Sequence, residues 1–222
     1  MKKRWMSILL VAIMAVSLAA CGKGGEEESQ TGSSENATEE TGSDASEEES
    51  AEGASGKHHV EITVKDYGTI SVELDGDAAP ITVENFLKLA GDGFYDGLTF
   101  HRIISGFMIQ GGDPEGNGRG GSDEQIKGEF SLNGIENKLS HTRGAISMAR
   151  AADYDSASSQ FFIVHEDSLS LDGQYACFGY VTEGIEVVDA ICEAIPDTAF
   201  VDSNSTVASE SQPIIESIKV ID

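Results

Sequence analysis

The sequence has little positive charge and little cysteine. Its 222 residues contain 14 Lys and Arg against 39 Asp and Glu, for a formal net charge of −25 at pH 7. This balance makes nucleic acid and anionic membrane surfaces poor partners. His58, His59 and His101 have no cysteine or acidic cluster beside them at ligand spacing, so neither a metal nor another cofactor is expected.

The sequence also lacks the pattern of a serine nucleophile, of a reactive cysteine and of a dinucleotide-binding fold. Neither Ser105 nor Ser159 lies in the Gly-x-Ser-x-Gly turn of a serine nucleophile. Cys177 and Cys192 stand among apolar residues, as buried unreactive thiols do, and their spacing leaves open whether they form a disulfide. The glycine-rich segment 116–121 has the spacing of a dinucleotide-binding loop, but no apolar strand precedes it and no helix pattern follows it, which favours a surface loop.

Residues 1–20 have the pattern of an export signal. Lys2, Lys3 and Arg4 precede an apolar run that is too short to span a bilayer comfortably. The run ends in Leu-Ala-Ala before Cys21, which resembles the bacterial lipoprotein processing box, where the signal is removed and the cysteine is acylated. The resemblance predicts a protein anchored by lipid to the extracytoplasmic face of the cell membrane, in a single-membrane cell or in a periplasm. An ordinary secretory signal with an incidental cysteine is the alternative.

Residues 21–56 are expected to be a lipidated cysteine followed by a disordered tether. They consist almost wholly of Glu, Ser, Gly, Ala, Thr and Asp, without aromatic or large aliphatic side chains, so they cannot form a core. Their 11 acids against Lys23 favour an extended chain through self-repulsion. A solvated spacer is the simpler interpretation, and a specific acidic recognition arm is the alternative.

Residues 57–222 are long enough for one sizeable core and are expected to form a single domain. Alternating apolar and polar residues predict two paired strands joined by a turn at 67–68. Residues 80–91 have helical spacing, with proline first and glycine last. A second helical run stops at Pro196, and 218–220 predicts a closing strand. Many short strands with only two helices indicate an all-β barrel.

The segment 100–113 carries residue types suited to holding a proline. It places the guanidinium of Arg102 close in sequence to the apolar Phe107 and Met108 and to the amide of Gln110. One flat strand cannot present all four on one face, because successive side chains alternate between faces. Two short strands with a bend at Ser-Gly between them can, so a concave site is expected here.

A second block at 144–164 supplies another amide, Gln160, and another ring, Phe162. Together the two blocks closely resemble the cyclophilin family of peptidyl-prolyl isomerases. Further segments that resemble the family follow in the right order between about 60 and 221: a first helix at 79–86, a turn at 94–97, and a late active-site strand at 171–173 and 178–179. The resemblance implies an all-β, closed eight-stranded antiparallel barrel capped by two α-helices.

Three positions depart from the usual cyclophilin pattern. Arg150, Ser170 and Tyr175 stand where the family commonly has asparagine, tryptophan and histidine. The segment 151–159 resembles its family counterpart with about one residue added, which leaves the alignment of that loop open. Because drug-sensitive cyclophilins resemble one another in facing bound cyclosporin with that tryptophan, Ser170 implies weak cyclosporin binding.

The resemblance also implies a role for each candidate site residue. Arg102 is implied to be the catalytic donor to the proline nitrogen. The residues implied to enclose the proline ring or to hold the peptide around it are Phe107, Met108, Gln110, Ala149, Arg150, Gln160, Phe162, Leu171 and Tyr175. Without the family, the pattern of the four apolar members Phe107, Met108, Phe162 and Leu171 would favour barrel core.

The expected function is therefore peptidyl-prolyl cis-trans isomerisation that assists the folding of exported proteins. Its partners would be proline-containing, unfolded or partly folded chains outside the cytoplasmic membrane, and the protein itself is expected to be a monomer that reaches the membrane only through its lipid anchor. No cofactor is needed, because rotation about the X-Pro amide breaks no bond permanently. The alternative is a catalytically weak cyclophilin-like module that binds proline segments or acts as a holdase.

Overall fold

The computed structural model describes residues 53–222. The predicted signal peptide, the lipidation site and most of the predicted tether lie outside the described residues. The last residues of that tether contact the folded unit, because the N–H of Ala54 donates to the Pro80 carbonyl (3.2 Å) and the N–H of Gly56 donates to the Asp77 carboxylate (2.9 Å). Within the described range, no helix is long and apolar enough to cross a membrane.

Strands make up most of the regular structure between residues 53 and 222. The strands are β1 (Lys57–Val64), β2 (Gly68–Asp75), β3 (Thr99–Ile104), β4 (Met108–Asp113), β5 (Ala145–Met148), β6 (Phe161–Val164), β7 (Cys177–Glu183) and β8 (Ile215–Val220). The α-helices are α1 (Pro80–Gly91), between β2 and β3, and α2 (Ile185–Ala194), between β7 and β8. The predicted hairpin, both predicted helices and the predicted last strand are confirmed.

The first hairpin shows why these sequences form strands. β1 and β2 pair along their whole length, from Lys57 opposite Asp75 to Val64 opposite Gly68. From Val60 onward, every second residue of β1 is buried. The alternation of apolar and polar side chains therefore fixes which face of the hairpin meets the core.

The strands form one antiparallel sheet in the order β3-β4-β6-β5-β7-β2-β1-β8. The edge strands β3 and β8 approach each other only at their ends, where Thr99 and Ile214 form an isolated bridge and the Phe100 N–H donates to the Pro213 carbonyl (2.9 Å). The mainly β fold with eight antiparallel strands and two helices is confirmed. The sheet is curled, and its closure into a complete barrel is not confirmed.

Aromatic packing joins α1 to the sheet. Phe86 of α1 lies with its ring centroid 5.1 Å from Tyr95, 5.4 Å from Phe161 and 5.2 Å from Phe178. All four side chains are fully buried. Rings at such distances add specific edge and offset contacts to the burial of apolar area. This cluster is part of the main core, and it packs against the first residues of β6 and β7, the strands that support the site.

A second, smaller apolar cluster lies beneath the site. Its buried members are Met108, Ala145, Phe162, Val164 and Cys177. Both cysteines within residues 53–222 are buried free thiols, so they form no disulfide. Burial raises the pKa of Cys177 to about 12 and that of Cys192 to about 11, which keeps both thiols protonated and unreactive near neutral pH.

The late active-site strand predicted at 171–173 and 178–179 is wrong in its first part, which is not a strand. Leu169–Leu171 form a short 3-10 helix, and Asp172 and Gly173 continue as a turn. The strand β7 begins only at Cys177. Gly173 has a φ of 72°, in the left-handed region that favours glycine, so the chain turns here instead of extending.

Candidate active site

A pocket of about 220 Å³ opens where the β3–β4 hairpin faces β5, β6 and the 3-10 helix before β7. The residues that line it are Arg102, Phe107, Met108, Gln110, Ala149, Arg150, Phe162, Leu171 and Tyr175. The remaining candidate, Gln160, lies beside the pocket and accepts a hydrogen bond from the amide nitrogen of Gln110 (2.8 Å). The structure therefore brings together all the site residues predicted within the described range.

The β3–β4 hairpin brings Arg102, Phe107 and Gln110 to the same pocket. Arg102 and Gln110 are direct cross-strand partners, so their side chains share a face. Phe107 lies in the connecting turn, where Gly106 has a φ of 79°. Because Phe107 is outside both strands, strand alternation does not constrain its side chain, and it joins Arg102 and Gln110 at the pocket.

Arg102 is held by neutral groups and forms no ion pair within residues 53–222. Its Nε donates to the carbonyl oxygen of Asn204 (2.8 Å) and its Nη1 to Oε1 of Gln110 (3.2 Å). Within residues 53–222, Nη2 makes no hydrogen bond and no carboxylate pairs with the guanidinium. Burial lowers the pKa of Arg102, while Tyr175 and Asp202 act in the opposite direction. The guanidinium stays protonated, as arginine does in proteins, and it retains donors for a ligand.

A chain of amides extends from Arg102 to the neighbouring loop. Gln110 accepts from Arg102 through Oε1 and donates through Nε2 to Oε1 of Gln160, whose own Nε2 donates to the carbonyl of Gly120 (2.7 Å). The loop that carries Gly120 is fixed by Asp113, whose carboxylate accepts from the backbone N–H groups of Glu115, Asn117, Gly118 and Arg119. These bonds help to lower the pKa of Asp113 against the opposing effect of burial. The segment 116–121 is thus a surface loop, as predicted.

The apolar wall of the pocket is supported from behind by a buried histidine. His141 stacks on Phe162 with ring centroids 5.9 Å apart and an interplanar angle of 17°. Its Nδ1 contacts Asp172 (2.8 Å), and its Nε2 contacts the hydroxyl of Ser147 (3.0 Å). Burial lowers the pKa of His141, while Asp172 opposes that shift. Neutral His141 therefore donates to Asp172 and accepts from Ser147, which fixes the plane against which Phe162 packs.

Arg150 forms a rigid partition at one side of the pocket. Its guanidinium carbon lies 5.1 Å from the ring centroid of Phe130, 4.8 Å from Tyr154 and 4.7 Å from Tyr175. Its Nε and Nη2 donate to the carbonyl of Gln174. Tyr175 also packs edge-on against Phe162, with centroids 5.9 Å apart. Arg150 and Tyr175 are thus in direct contact.

Three supporting residues were not found from the sequence. Asn204 holds Arg102 through a backbone carbonyl, for which no side-chain pattern gives a signal. His141 is far in sequence from Phe162, the ring that it supports, so no local pattern joins the two. His165 accepts the N–H of Gly106 at Nδ1 (2.8 Å) and so fixes the turn that carries Phe107. In the sequence, the only signal for this role is that His165 directly follows the apolar run of β6.

Comparison with known proteins assigns the chain to a family. A family model described as "Cyclophilin type peptidyl-prolyl cis-trans isomerase/CLD" matches residues 59–220. The chain belongs to the cyclophilin family. This cyclophilin is similar to peptidyl-prolyl cis-trans isomerase B of Bacillus subtilis, with 51% identity over 55% of this chain and 82% of the relative. It is also similar to a peptidyl-prolyl cis-trans isomerase of Helicobacter pylori, with 48% identity over 56% of this chain and 74% of the relative.

Solved structures support the same assignment. A crystal structure of a cyclophilin type peptidyl-prolyl cis-trans isomerase from Cryptosporidium parvum, determined in the presence of the dipeptide Ala-Pro, matches this cyclophilin with a TM-score of 0.64 and 32% identity. The match covers 74% of this chain and 99% of that one. The chain is therefore a cyclophilin-type peptidyl-prolyl isomerase. Within residues 53–222, no group of three or more His, Cys, Asp or Glu side chains could hold a metal ion.

Proposed function

We propose that this cyclophilin catalyses X-Pro isomerisation with Arg102 as the donor to the proline nitrogen. Rotation about the amide has a barrier of about 18–20 kcal/mol, because the twisted state loses resonance. In that state the nitrogen regains a lone pair that can accept a hydrogen bond. A charged donor placed at that nitrogen stabilises the transition state more than the planar ground state, which is the condition for catalysis.

The observation that carries this proposal is the setting of Arg102. Its guanidinium is fixed by Asn204 and Gln110 and keeps Nη2 free within the described residues. It lies at a pocket whose lining includes the apolar side chains Phe107, Met108, Phe162 and Leu171. A proline ring held by that wall would have its nitrogen close to the free donor. Low polarity around the pair strengthens the hydrogen bond.

The other candidate residues are proposed to hold the substrate. Phe107, Met108, Phe162 and Leu171 would enclose the proline ring, while Gln110 would orient Arg102. The Ala149 N–H is already bonded to the Gln160 carbonyl (2.9 Å). The Ala149 carbonyl and the Arg150 N–H are therefore the backbone groups proposed to bind the flanking peptide. Tyr175 would complete the wall on the side of Arg150.

Substitution of Arg102 tests the mechanism. A hydrogen bond from a charged group contributes about 1.5–3 kcal/mol, so Arg102→Ala should lower kcat/KM on a proline peptide by about 10- to 150-fold. Arg102→Lys should recover little, because lysine lacks the planar fork. The measurement is exchange between cis and trans peptide by NMR, with the fold checked by circular dichroism and Lys65→Ala as a remote control. Full activity of Arg102→Ala would refute the role, and peptide binding by the wild type without turnover would favour the binding-module alternative.

We also propose that the protein works outside the cytoplasmic membrane, on proline-containing segments of unfolded or partly folded exported proteins, as a monomer anchored through Cys21. Support comes from the charged, apolar and small-residue pattern of residues 1–21 and from the polar acidic segment that follows it. A folding substrate exposes its X-Pro bonds, and uncatalysed isomerisation takes about 10–100 s, which is slow enough to limit folding.

The lipid anchor is tested by Cys21→Ser. Without the acylated thiol, the protein should move from the membrane fraction to the soluble fraction, because a strongly acidic protein has no attraction to anionic lipid. Isomerase activity should be unchanged. Fractionation with immunoblotting measures the first effect, Cys177→Ser is the matched control, and intact-mass spectrometry of the wild type identifies the acyl groups. An unmodified wild-type cysteine, or a serine variant that stays in the membrane, would count against the anchor.

A further inference from the structure

The arginines of this acidic domain are concentrated around the active site. Residues 53–222 contain four arginines. Arg143 lies outside the pocket lining and donates through Nη2 to both carboxylate oxygens of Asp189 (2.8 Å each). Arg102, Arg119 and Arg150 line adjoining pockets, and among the described residues none of them has a carboxylate oxygen within 4.0 Å. Three arginines without an ion pair among the described residues therefore line the groove. Asp202 lines a further pocket together with Arg102 and Arg119 and acts on the charge of Arg102, but it does not line the pocket that holds Arg150.

Beside the proline pocket lies a second cavity of about 330 Å³. The two share Gln110, Ala149 and Arg150, so they adjoin and form one groove. No aspartate or glutamate lines the second cavity, whose only charged residues are Arg119 and Arg150. The nearby carboxylate of Asp113 accepts hydrogen bonds from backbone N–H groups of the 115–119 loop and forms no ion pair with either arginine.

Arg150 is fixed in place before a ligand arrives. Its Nε and Nη2 donate to the Gln174 carbonyl and its Nη1 to the Ala151 carbonyl (2.9 Å). The three rings around the guanidinium restrict it further. A guanidinium has five N–H groups, so two of them remain unused within residues 53–222. A carboxylate that binds here meets a charge that loses little conformational freedom, unlike a mobile surface side chain.

We propose that this groove selects proline segments that carry an aspartate or glutamate close to the proline, with Arg119 and Arg150 as the specificity-determining residues. This inference rests on the proposed function of the neighbouring pocket. Over long range, the excess of acids on the domain repels an acidic peptide. Screening shortens that repulsion to about 8 Å at physiological salt, whereas contacts at hydrogen-bond distance persist. Local attraction to the two arginines therefore decides the preference.

The test compares peptides that contain one proline and either glutamate or glutamine at one of the three positions on each side of it. Full-length protein in detergent is used at about 0.15 M salt, and kcat/KM is measured by NMR exchange. At one position or more, glutamate should raise kcat/KM about three- to tenfold over glutamine, the range for one or two charge-assisted contacts at a partly exposed site. Calorimetry on the same peptide pairs gives the ratio of Kd values independently of turnover.

Two variants with equal change in net charge separate local from long-range effects. Arg119→Gln should reduce the preference, measured as the ratio of kcat/KM for the glutamate peptide to that for the glutamine peptide, at least about twofold. Lys219→Gln, on β8 and outside every pocket lining described, should leave the preference intact. Equal affinity and turnover for both peptides at all positions, or an unchanged preference in Arg119→Gln, would overturn the proposal. A preserved Kd ratio without turnover would support this selectivity and count against the catalytic proposal alone.

Discussion

At the scale of single residues, one side of the pocket is formed by two side chains in direct contact. Tyr175 packs against Phe162 and against the guanidinium of Arg150, so a tyrosine and an arginine together form this wall. Ser170, in contrast, is exposed and does not line the pocket. Residue 170 can therefore change without altering the proposed ring-binding surface, while 150 and 175 cannot.

Ser170→Trp is expected to create a drug-binding surface. A tryptophan here would add a large apolar area and an indole donor, together worth about 2–4 kcal/mol toward cyclosporin. We expect cyclosporin to bind at least about tenfold more tightly to the variant than to the wild type, with turnover of a short proline peptide nearly unchanged. Calorimetry measures the affinity, and Leu169→Trp, at the exposed neighbouring position, is the matched control. Tight binding by the wild type would show that residue 170 does not control the drug site.

At the scale of elements, α1 depends on a residue far away in sequence for its first turn. The N-cap, Ala79, has no side-chain acceptor. Instead the buried carboxylate of Glu129 accepts the N–H of Ile81 (3.1 Å), the N–H of Thr82 (2.8 Å) and the Thr82 hydroxyl (2.6 Å). A negative charge at this end also matches the positive end of the helix dipole.

Glu129→Gln should therefore destabilise the fold. The amide keeps the side-chain volume but removes the charge and turns an NH₂ group toward a backbone donor. We expect the free energy of unfolding to fall by about 1.5–3 kcal/mol, measured by urea denaturation. Glu136→Gln, at an exposed ion pair with Lys138, should change it by less than about 0.5 kcal/mol. If the two variants lose equal stability, Glu129 is not the cap of α1.

At the scale of the whole molecule, two buried histidines couple the region of the site to the stability of the fold. His101 directly precedes Arg102 and is buried, with neither ring nitrogen hydrogen-bonded within the described residues. Burial lowers its pKa, against the effect of Asp113. His141 supports Phe162, and burial lowers its pKa as well. The pKa of the exposed His59 changes in the opposite direction, because its hydrogen bond to Asp222 raises it.

These shifts predict that mild acid weakens the fold. A histidine whose pKa is lowered on folding binds a proton more tightly in the unfolded chain, so the free energy of unfolding should fall as the pH drops below the ordinary histidine value of 6.5. The slope should reach at most about 1.4 kcal/mol per pH unit for each histidine. His59 opposes this trend, because the stability from its raised pKa is present at low pH and lost as the pH rises.

Urea unfolding at about pH 7.5 and 5.5 measures this acid sensitivity. His101→Phe fills the same apolar space without a titrating group and should lose part of the dependence, whereas His59→Gln should not reduce it. Equal stability of His59→Gln at the two pH values, with the opposing histidine removed, would show that His101 and His141 do not titrate differently in the folded and unfolded chain.

The sequence by itself determined the class of fold, the first hairpin, the two helices, the last strand and the composition of the candidate site. Strand alternation in 57–75 and helical spacing in 80–91 are local properties, so they predict β1, β2 and α1 directly. The cyclophilin resemblance supplied the set of residues around Arg102, and the structure places all of those within the described range in or beside one pocket.

Only the tertiary structure decided what holds those residues and what charge surrounds them. The Asn204 carbonyl that fixes Arg102, the Glu129 carboxylate that caps α1 and the His141 ring behind Phe162 join positions far apart in sequence. Sequence patterns report periodicity over a few residues, whereas these contacts depend on how the sheet curls and where its loops end. For the same reason, the grouping of Arg119 with Arg150 around one cavity emerged only from the fold.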